Sequence, residues 1–380
     1  MQMTLKRAFQ TFSKDSPRCK ISFAAFAKLR PRSVRLFSRN FHDTCLCVYC
    51  ANIMYKVQTI KKIVNSGKCQ SPRITDEYQL IDLLLCPLPA SQRFHKATCI
   101  RGECDKCSDL GKKLTELCHE LLQSDDGMDV TWNHWERHTM TDGKSKRVLS
   151  TKHGTLGDLV GEFRNDVLSP TQGLNFVQHL HTARWQQRQF QRIKDNLPDN
   201  VALMVMDFAR NRKVFYQDEI KAAYFTQQQV TMHPVVCYYR EDGSVVRESV
   251  VFLSDDLGHD HHAVNHFLKC TEDYLSANHT INREIIFSDG CTSQYKGRGS
   301  FADLSLQTVR TERHFFGSEH GKGEGDGEIG LINKAIDRAI LSREVVINSA
   351  EEMFTWCCKN LSSSERPSRR KFFPCQKGRN

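Results

Sequence analysis

Three acids and two cysteine pairs are the residues of this chain whose types and spacing can do chemistry. Asp207 closes the apolar run VALMVMDFA (201–209), Asp289 closes REIIFSDG (283–290), and Asp326 stands just before the amphipathic stretch GEIGLINKAIDRAIL (327–341). Carboxylates drawn to one point repel one another unless divalent cations neutralise them, and oxygen ligands suit Mg²⁺ or Mn²⁺. A pair of such ions is what phosphoryl transfer uses: one activates a water or 3′-hydroxyl, the other stabilises the leaving oxygen. Singly, each acid has a plainer explanation. Asp207 can be a strand-end turn residue, Asp289-Gly290 a turn, and Asp326 a helix N-cap. Taken together they predict catalytic acids at Asp207, Asp289 and Asp326. Glu328 and Glu324 are alternates for the third position, since both lie within one helical turn of it.

The sixteen cysteines include Cys45-x-Cys47-x₂-Cys50 and Cys99-x₄-Cys104-x₂-Cys107. Each CxxC can turn two thiolates toward one tetrahedral Zn²⁺. The expectation is therefore one zinc on Cys47, Cys50, Cys104 and Cys107, with Cys45 and Cys99 spare and the fold bringing the two pairs together. Cys69, Cys86, His42 and His95 are further candidates for a second ion. The plain alternative is a set of buried thiols. A redox role is disfavoured, because neither pair follows a clear strand and opens a helix. His259, Asp260, His261 and His262 read as a polar turn before a helix. WNHWERH (132–138) reads as an amphipathic core segment, and Trp185 as a helix-packing tryptophan.

The elements that must position these groups fall into five stretches. Residues 1–41 read as a basic helical segment, in which Ser22 precedes Phe23, Phe26 and Leu29 before Pro31. Residues 42–118 form a Cys-rich zinc module, and 119–198 a helical connecting region with Phe163, Phe176, Trp185 and Phe190 as core. Residues 199–345 carry strand-like runs, including QVTMHPVVCYYR (229–240) and SVVRESVVFLS (244–254) joined at Glu241-Asp242-Gly243, a hairpin signal. Residues 346–380 are a helix and a basic tail, with SSERPSRRKFF expected to lack order. The order β-β-β-α-β-α-β-α over the regular part is that of a ribonuclease-H-like α/β fold. The chain as a whole is predicted to be a mixed sheet with flanking helices, preceded by the basic segment and the zinc module. In such a sheet the first and fourth strands are neighbours, so their terminal aspartates converge.

The segments DFARN (207–211), QDEIKAAYFTQQQVTMHPVVCYY (217–239), LSDDLGHD (253–260), FSDGCTSQYKGR (287–298) and FFGSEHGKGEGDG (315–327) resemble the catalytic domain of eukaryotic cut-and-paste DDE/D transposases, and of transposon-derived proteins recurrent in animal genomes. The resemblance runs from about residue 130 to 345, and SDGCTSQYK and HGKGEGDG are its most specific parts. It implies metal-dependent DNA strand cleavage and strand transfer, with Asp207, Asp289 and Asp326 as metal-binding acids. The sequence departs from the pattern at Arg210, where an acid is usual, and at Arg212, where an aromatic is. Both add positive charge near the first aspartate and leave open a copy that has lost chemistry. Gln294, Tyr295 and Lys296 after the second aspartate, and His320 and Lys322 in the glycine-rich stretch, are placed to meet DNA phosphate.

Charge admits the same class of partner, or no more than a solvated basic face. Lysines and arginines number 54 against 44 acids, and residues 1–40 hold ten of the cations (Lys6, Arg7, Lys14, Arg18, Lys20, Lys28, Arg30, Arg32, Arg35, Arg39) against Asp15 alone. Because phosphate contacts dominate nucleic-acid affinity, Lys20, Lys28, Arg30, Arg32, Arg35 and Arg39 are the candidate duplex-binding residues. No apolar run approaches a membrane span, and Met1 to Lys28 has no continuous apolar core of a secretory signal. The expected partner is double-stranded DNA, as at transposon ends, met by a homo-oligomer in the nucleus. The competing class is a catalytically inactive, transposon-derived, zinc-containing DNA or chromatin binder. A ribonuclease-H-fold exonuclease fits less well, having no need of the zinc and basic regions.

Overall fold

The structure is a computed structural model that describes residues 9, 12, 13, 16, 19–29, 47–66, 77–89, 92, 94–170, 173–317, 320, 321, 323–365 and 368–375. The chain divides into two compact units, Met1–Cys45 and Leu46–Asn380. In the first, α1 (Phe23–Lys28) begins where Ser22 accepts a hydrogen bond from the Ala25 amide. Phe9 and Phe12 pack their rings on Phe23 and Phe26. Lys20 and Lys28 are exposed, whereas Arg30, Arg32, Arg35 and Arg39 lie outside the described residues.

The second unit opens with α2 (Val48–Asn65), α3 (Glu77–Leu84), α4 (Ala97–Arg101) and α5 (Leu110–Asp125). A β-hairpin follows, β1 (Asp129–Thr139) and β2 (Ser145–Thr155), where the sequence had predicted helix. Its turn is made by Asp142 and Gly143, the latter at φ 76°, and Val130 and Trp132, two residues apart on one face of the strand, enter the core. There the indole N–H donates to Glu162. Then come α6 (Leu156–Leu168) and α7 (Phe176–Asp195), each opened by a reciprocal capping box, Thr155/Asp158 and Asn175/Gln178. Lys56 of α2 is fully buried and donates to Asp166, with the His134 ring 3.0 Å away.

The remainder is a seven-stranded mixed sheet with its helices. In chain order these are β3 (Val201–Met206), β4 (Arg212–Lys213), α8 (Lys221–Phe225), β5 (Gln229–Glu241), β6 (Ser244–Ser254), α9 (His261–Asn278), β7 (Arg283–Ser288), α10 (Arg298–Ser305), β8 (Arg310–Phe315), α11 (Glu324–Leu341), α12 (Ala350–Leu361) and β9 (Ser368–Cys375). The strand order is β8-β7-β3-β5-β6-β9, with β4 beside β5. β5 runs antiparallel to both β3 and β6, β7 adds parallel to β3 and β8 parallel to β7, and β9 adds parallel to β6. The β5–β6 turn places Asp242 and Gly243 at φ 50° and 75°, the pair of left-handed residues that a tight hairpin needs. β3 is buried on both faces, as its unbroken apolar run requires. Ala202, Met204 and Met206 meet Val264, Phe267 and Leu268 of α9. Leu203 and Val205 meet Phe190 of α7, and Ile329, Ile332 and Ile336 of α11 cover Met232 and Val251.

Two expectations change here. The basic tail is not structureless: Ser368–Cys375 pairs along β6, Phe372 is buried, and Arg369 and Arg370 ion-pair with Glu241 and Glu328. Helix α11 starts at Glu324, with Gly323 as its cap, so Asp326 lies inside the first turn and is not its N-cap. Among the described residues no helix is long and apolar enough to cross a membrane, and the cysteines are unbridged.

Candidate functional site

The β3–β7 register fixes two of the three aspartates. Val205 pairs with Phe287, so two residues on, Asp207 and Asp289 leave neighbouring parallel strands at the same level. Such strands lie about 4.8 Å apart, and equal positions point to the same face. Burial, and then the charges of Asp207 and Asp289, push the Tyr295 phenol well above its ordinary range. Asp289 also accepts from the Cys291 amide at 3.0 Å. Around them stand Phe208, stacked on His259 at 4.1 Å, and the fully buried His233, 3.3 Å from the Tyr295 hydroxyl. Burial holds His233 neutral, its pKa lowered to about 3. His259 and Asp260 precede α9, with Asp260 as its N-cap, whereas His261 and His262, expected in the turn, open the helix.

Asp326, expected as the third acid, lies on α11. Met206 pairs with Val235, which sets Asp207 opposite Pro234, and Gly325 lies so close to Pro234 that an added Cβ would come within 3.2 Å of its ring. Asp326 follows, exposed, in the first turn. The alternates are committed elsewhere. Glu328 is 4% exposed and ion-pairs with Arg247 at 3.0 Å and with Arg370. Glu324 pairs with Lys194 at 2.9 Å and with Arg247 at 3.5 Å. Among the described residues the three aspartates do not form a group whose donor atoms all lie within 4.8 Å. Arg212 is not free to oppose a cation: it is buried, donates to Asn333 and Asp337, and sits on the Phe215 ring. Arg210 is exposed.

The cysteines fall into two groups rather than one. Cys104 and Cys107 meet Cys86 and Cys99, with the Cys86 and Cys104 sulfurs 3.7 Å apart. Cys47 and Cys50 meet His179 and His320. The single Cys47/Cys50/Cys104/Cys107 zinc is thereby corrected, because each CxxC turns inward against ligands from its own neighbourhood. Cys99 belongs to the first group, and Cys45 lies outside the described residues. Each group can hold a metal ion. In the second, hydrogen bonding from Cys50, then from His179 and His320, holds the Cys47 thiol down to about 2 against burial. In the first, the Lys106 amide and then Cys107 lower Cys104 to about 7. Neither His179 nor His320 was expected among the metal donors, and Cys86 was expected only as a candidate for a second ion. The available signal was a histidine on the apolar face of a well-capped helix, between the buried Phe176 and Ala183.

Beside His320 runs an open groove of about 500 Å³, lined by Phe94, Arg184, Gln187, Arg188 and Gln191 among others. Trp185, expected in the core, is 48% exposed. Lys296 is exposed, its ammonium 5.3 Å from the Phe315 ring, and Lys322 lies outside the described residues.

Residues 186–367 match a family model described as a domain of unknown function (DUF8701). No curated protein matches the chain. Solved structures similar to it include the simian T-cell lymphotropic virus intasome in complex with PP2A regulatory subunit B56 gamma, at 11% identity and TM-score 0.28, over 46% of this chain and 53% of that one. The Mos1 strand transfer complex matches at 11% and 0.28 over 54% and 64%, and the Mos1 mariner paired end complex with Mn at 9% and 0.25 over 82% and 92%. This chain thus spans about half to two thirds of the first two. Likeness at these scores is too weak to carry fold or function.

Proposed function

We propose that the chain is a transposase, or a derivative of one, that cleaves and joins DNA strands through divalent cations held by Asp207, Asp289 and Asp326. The observation that carries this is the pairing of strands β8-β7-β3-β5-β6, the ribonuclease-H-like order, which sets Asp207 and Asp289 level on adjacent strand ends. Carboxylate oxygens from two strand ends and a helix start are the donor set that Mg²⁺ or Mn²⁺ takes. Bound there, such ions would supply charge neutralisation and activation of a water or 3′-hydroxyl. The rest falls to the chain's own side chains. Arg184, Arg188, Gln187 and Gln191 offer a cationic, amide-rich groove to a phosphodiester backbone. The exposed Trp185 on the same helix can stack on an unpaired base. Acting on genomic DNA, the protein would work in the nucleus, as an oligomer that holds two ends.

A second reading, a DNA binder that kept the scaffold without the chemistry, is favoured by the spread of the three carboxylates. One experiment separates the two: incubation of the full chain with supercoiled DNA in Mg²⁺ or Mn²⁺. Nicks with 3′-hydroxyl ends that vanish in Asp289→Asn support the transposase reading. Tight binding without any nick supports the second.

A further inference from the structure

Four soft donors converge where the chain's remote parts meet. The Cys47 sulfur is 3.3 Å from His179 Nε2, the Cys50 sulfur 3.5 Å from His320 Nε2, and the two Nε2 atoms are 3.1 Å apart. All four lie within 4.8 Å of one another. With Zn–S of about 2.3 Å and Zn–N of about 2.0 Å, the edges of a tetrahedral site are roughly 3.5 Å for S–N and 3.3 Å for N–N. The observed edges match. Cys47 caps α2 and Cys50 lies in its first turn, where the positive end of the helix dipole favours thiolate.

The position of His320 gives this cluster a consequence beyond scaffolding. The adjacent Gly321 passes so near Asp289 that an added Cβ would lie 3.2 Å from the aspartate's own. Among the described residues, this stretch is also held by the Gln187 amide donating to the His320 carbonyl at 3.0 Å and the His320 N–H donating to the Gly317 carbonyl at 2.8 Å. We propose that Cys47, Cys50, His179 and His320 bind one Zn²⁺, and that this ion latches the glycine-rich segment onto Asp289, so that the zinc site positions the acidic site. The Cys86/Cys99/Cys104/Cys107 group binds a second Zn²⁺ that takes no part in this. The latch itself stands on geometry alone, and only its effect on cleavage rests on the function proposed above.

Zinc content and amide exchange of the purified full chain test it without any activity assay. The native chain is expected to carry two zinc ions per molecule, and His320→Asn one. In that variant exchange at His320, Gly321 and Cys291 should rise at least tenfold. His320→Cys, which restores a ligand but not the imidazole hydrogen bonds, should regain both zinc and protection. Cys104→Ser/Cys107→Ser should lose one zinc yet leave exchange at Gly321 unchanged. Cobalt in place of zinc should show a two-thiolate spectrum in that double variant and a four-thiolate spectrum in His320→Asn. Two zinc ions retained in His320→Asn, or unchanged exchange at Gly321 after zinc loss, overturns the latch. A latch that passes while DNA remains uncut overturns only the proposed function.

Discussion

Glu324, Asp326 and Glu328 share the start of one helix and differ in what surrounds them. Glu328 is buried between two guanidinium groups, so removing its charge deprives Arg370 of its carboxylate and leaves Arg247 with its longer pair to Glu324. Losing one partner of a buried pair costs about 3 kcal/mol or more, and denaturant unfolding of Glu328→Gln should show a loss of that order. Asp326 is exposed, so Asp326→Asn should unfold at nearly the native midpoint while abolishing metal-dependent nicking. Swapped outcomes would transfer the third catalytic role to Glu328. A different pair of acids sets a pH dependence. Glu284, buried in β7 beside Glu272 of α9, has its pKa raised to about 8, first by burial and then by its neighbour's charge. Unfolded, the same group titrates near 4.5 and so binds fewer protons over the interval between. Stability should therefore fall as pH rises from about 4.5 to about 8. Glu284→Gln should flatten that slope and be the more stable protein at pH 8, as melting temperatures across the range would reveal.

At the scale of elements, β9 is the piece whose sequence least suggested its role. RRKFF reads as a solvated tail, yet its arginines neutralise Glu241 and Glu328 and its Phe372 fills the core. Truncation after Ser362 should lower the melting temperature and expose the β6 edge to self-association, which light scattering would detect. A truncated chain that melts with the native one and stays monodisperse would mean the strand is dispensable. The central strands were legible because nothing competes with their signal. VALMVM is apolar throughout, and Asp242-Gly243 can hardly be anything but a tight turn. The β1–β2 hairpin was not, because His134, Glu136 and His138 blur the alternation and its turn chemistry is weaker. Asp207 and Asp289 could be set at neighbouring strand ends from strand order, but their level follows from the β3–β7 register. The metal groups could not: His179 and His320 lie 132 and 270 residues beyond the cysteines they meet, and no local spacing announces such contacts.

For the whole molecule, charge and chemistry are divided along the chain. Ten cations against one acid precede residue 41, while the acids that would hold metal lie beyond residue 200. Removing residues 1–40 should weaken binding to random duplex and reduce the salt slope of the affinity, since each lost phosphate contact removes about one released counterion. Unchanged affinity and slope would assign duplex binding to the groove along α7 instead. The claim on which everything else depends is that Asp207 and Asp289 act together on one divalent ion. Electron paramagnetic resonance titration of Mn²⁺ into the zinc-loaded full chain measures this directly. Bound Mn²⁺ should appear in the native protein, and its affinity should fall at least tenfold in Asp207→Asn and likewise in Asp289→Asn. Equal Mn²⁺ affinity in all three proteins would contradict it.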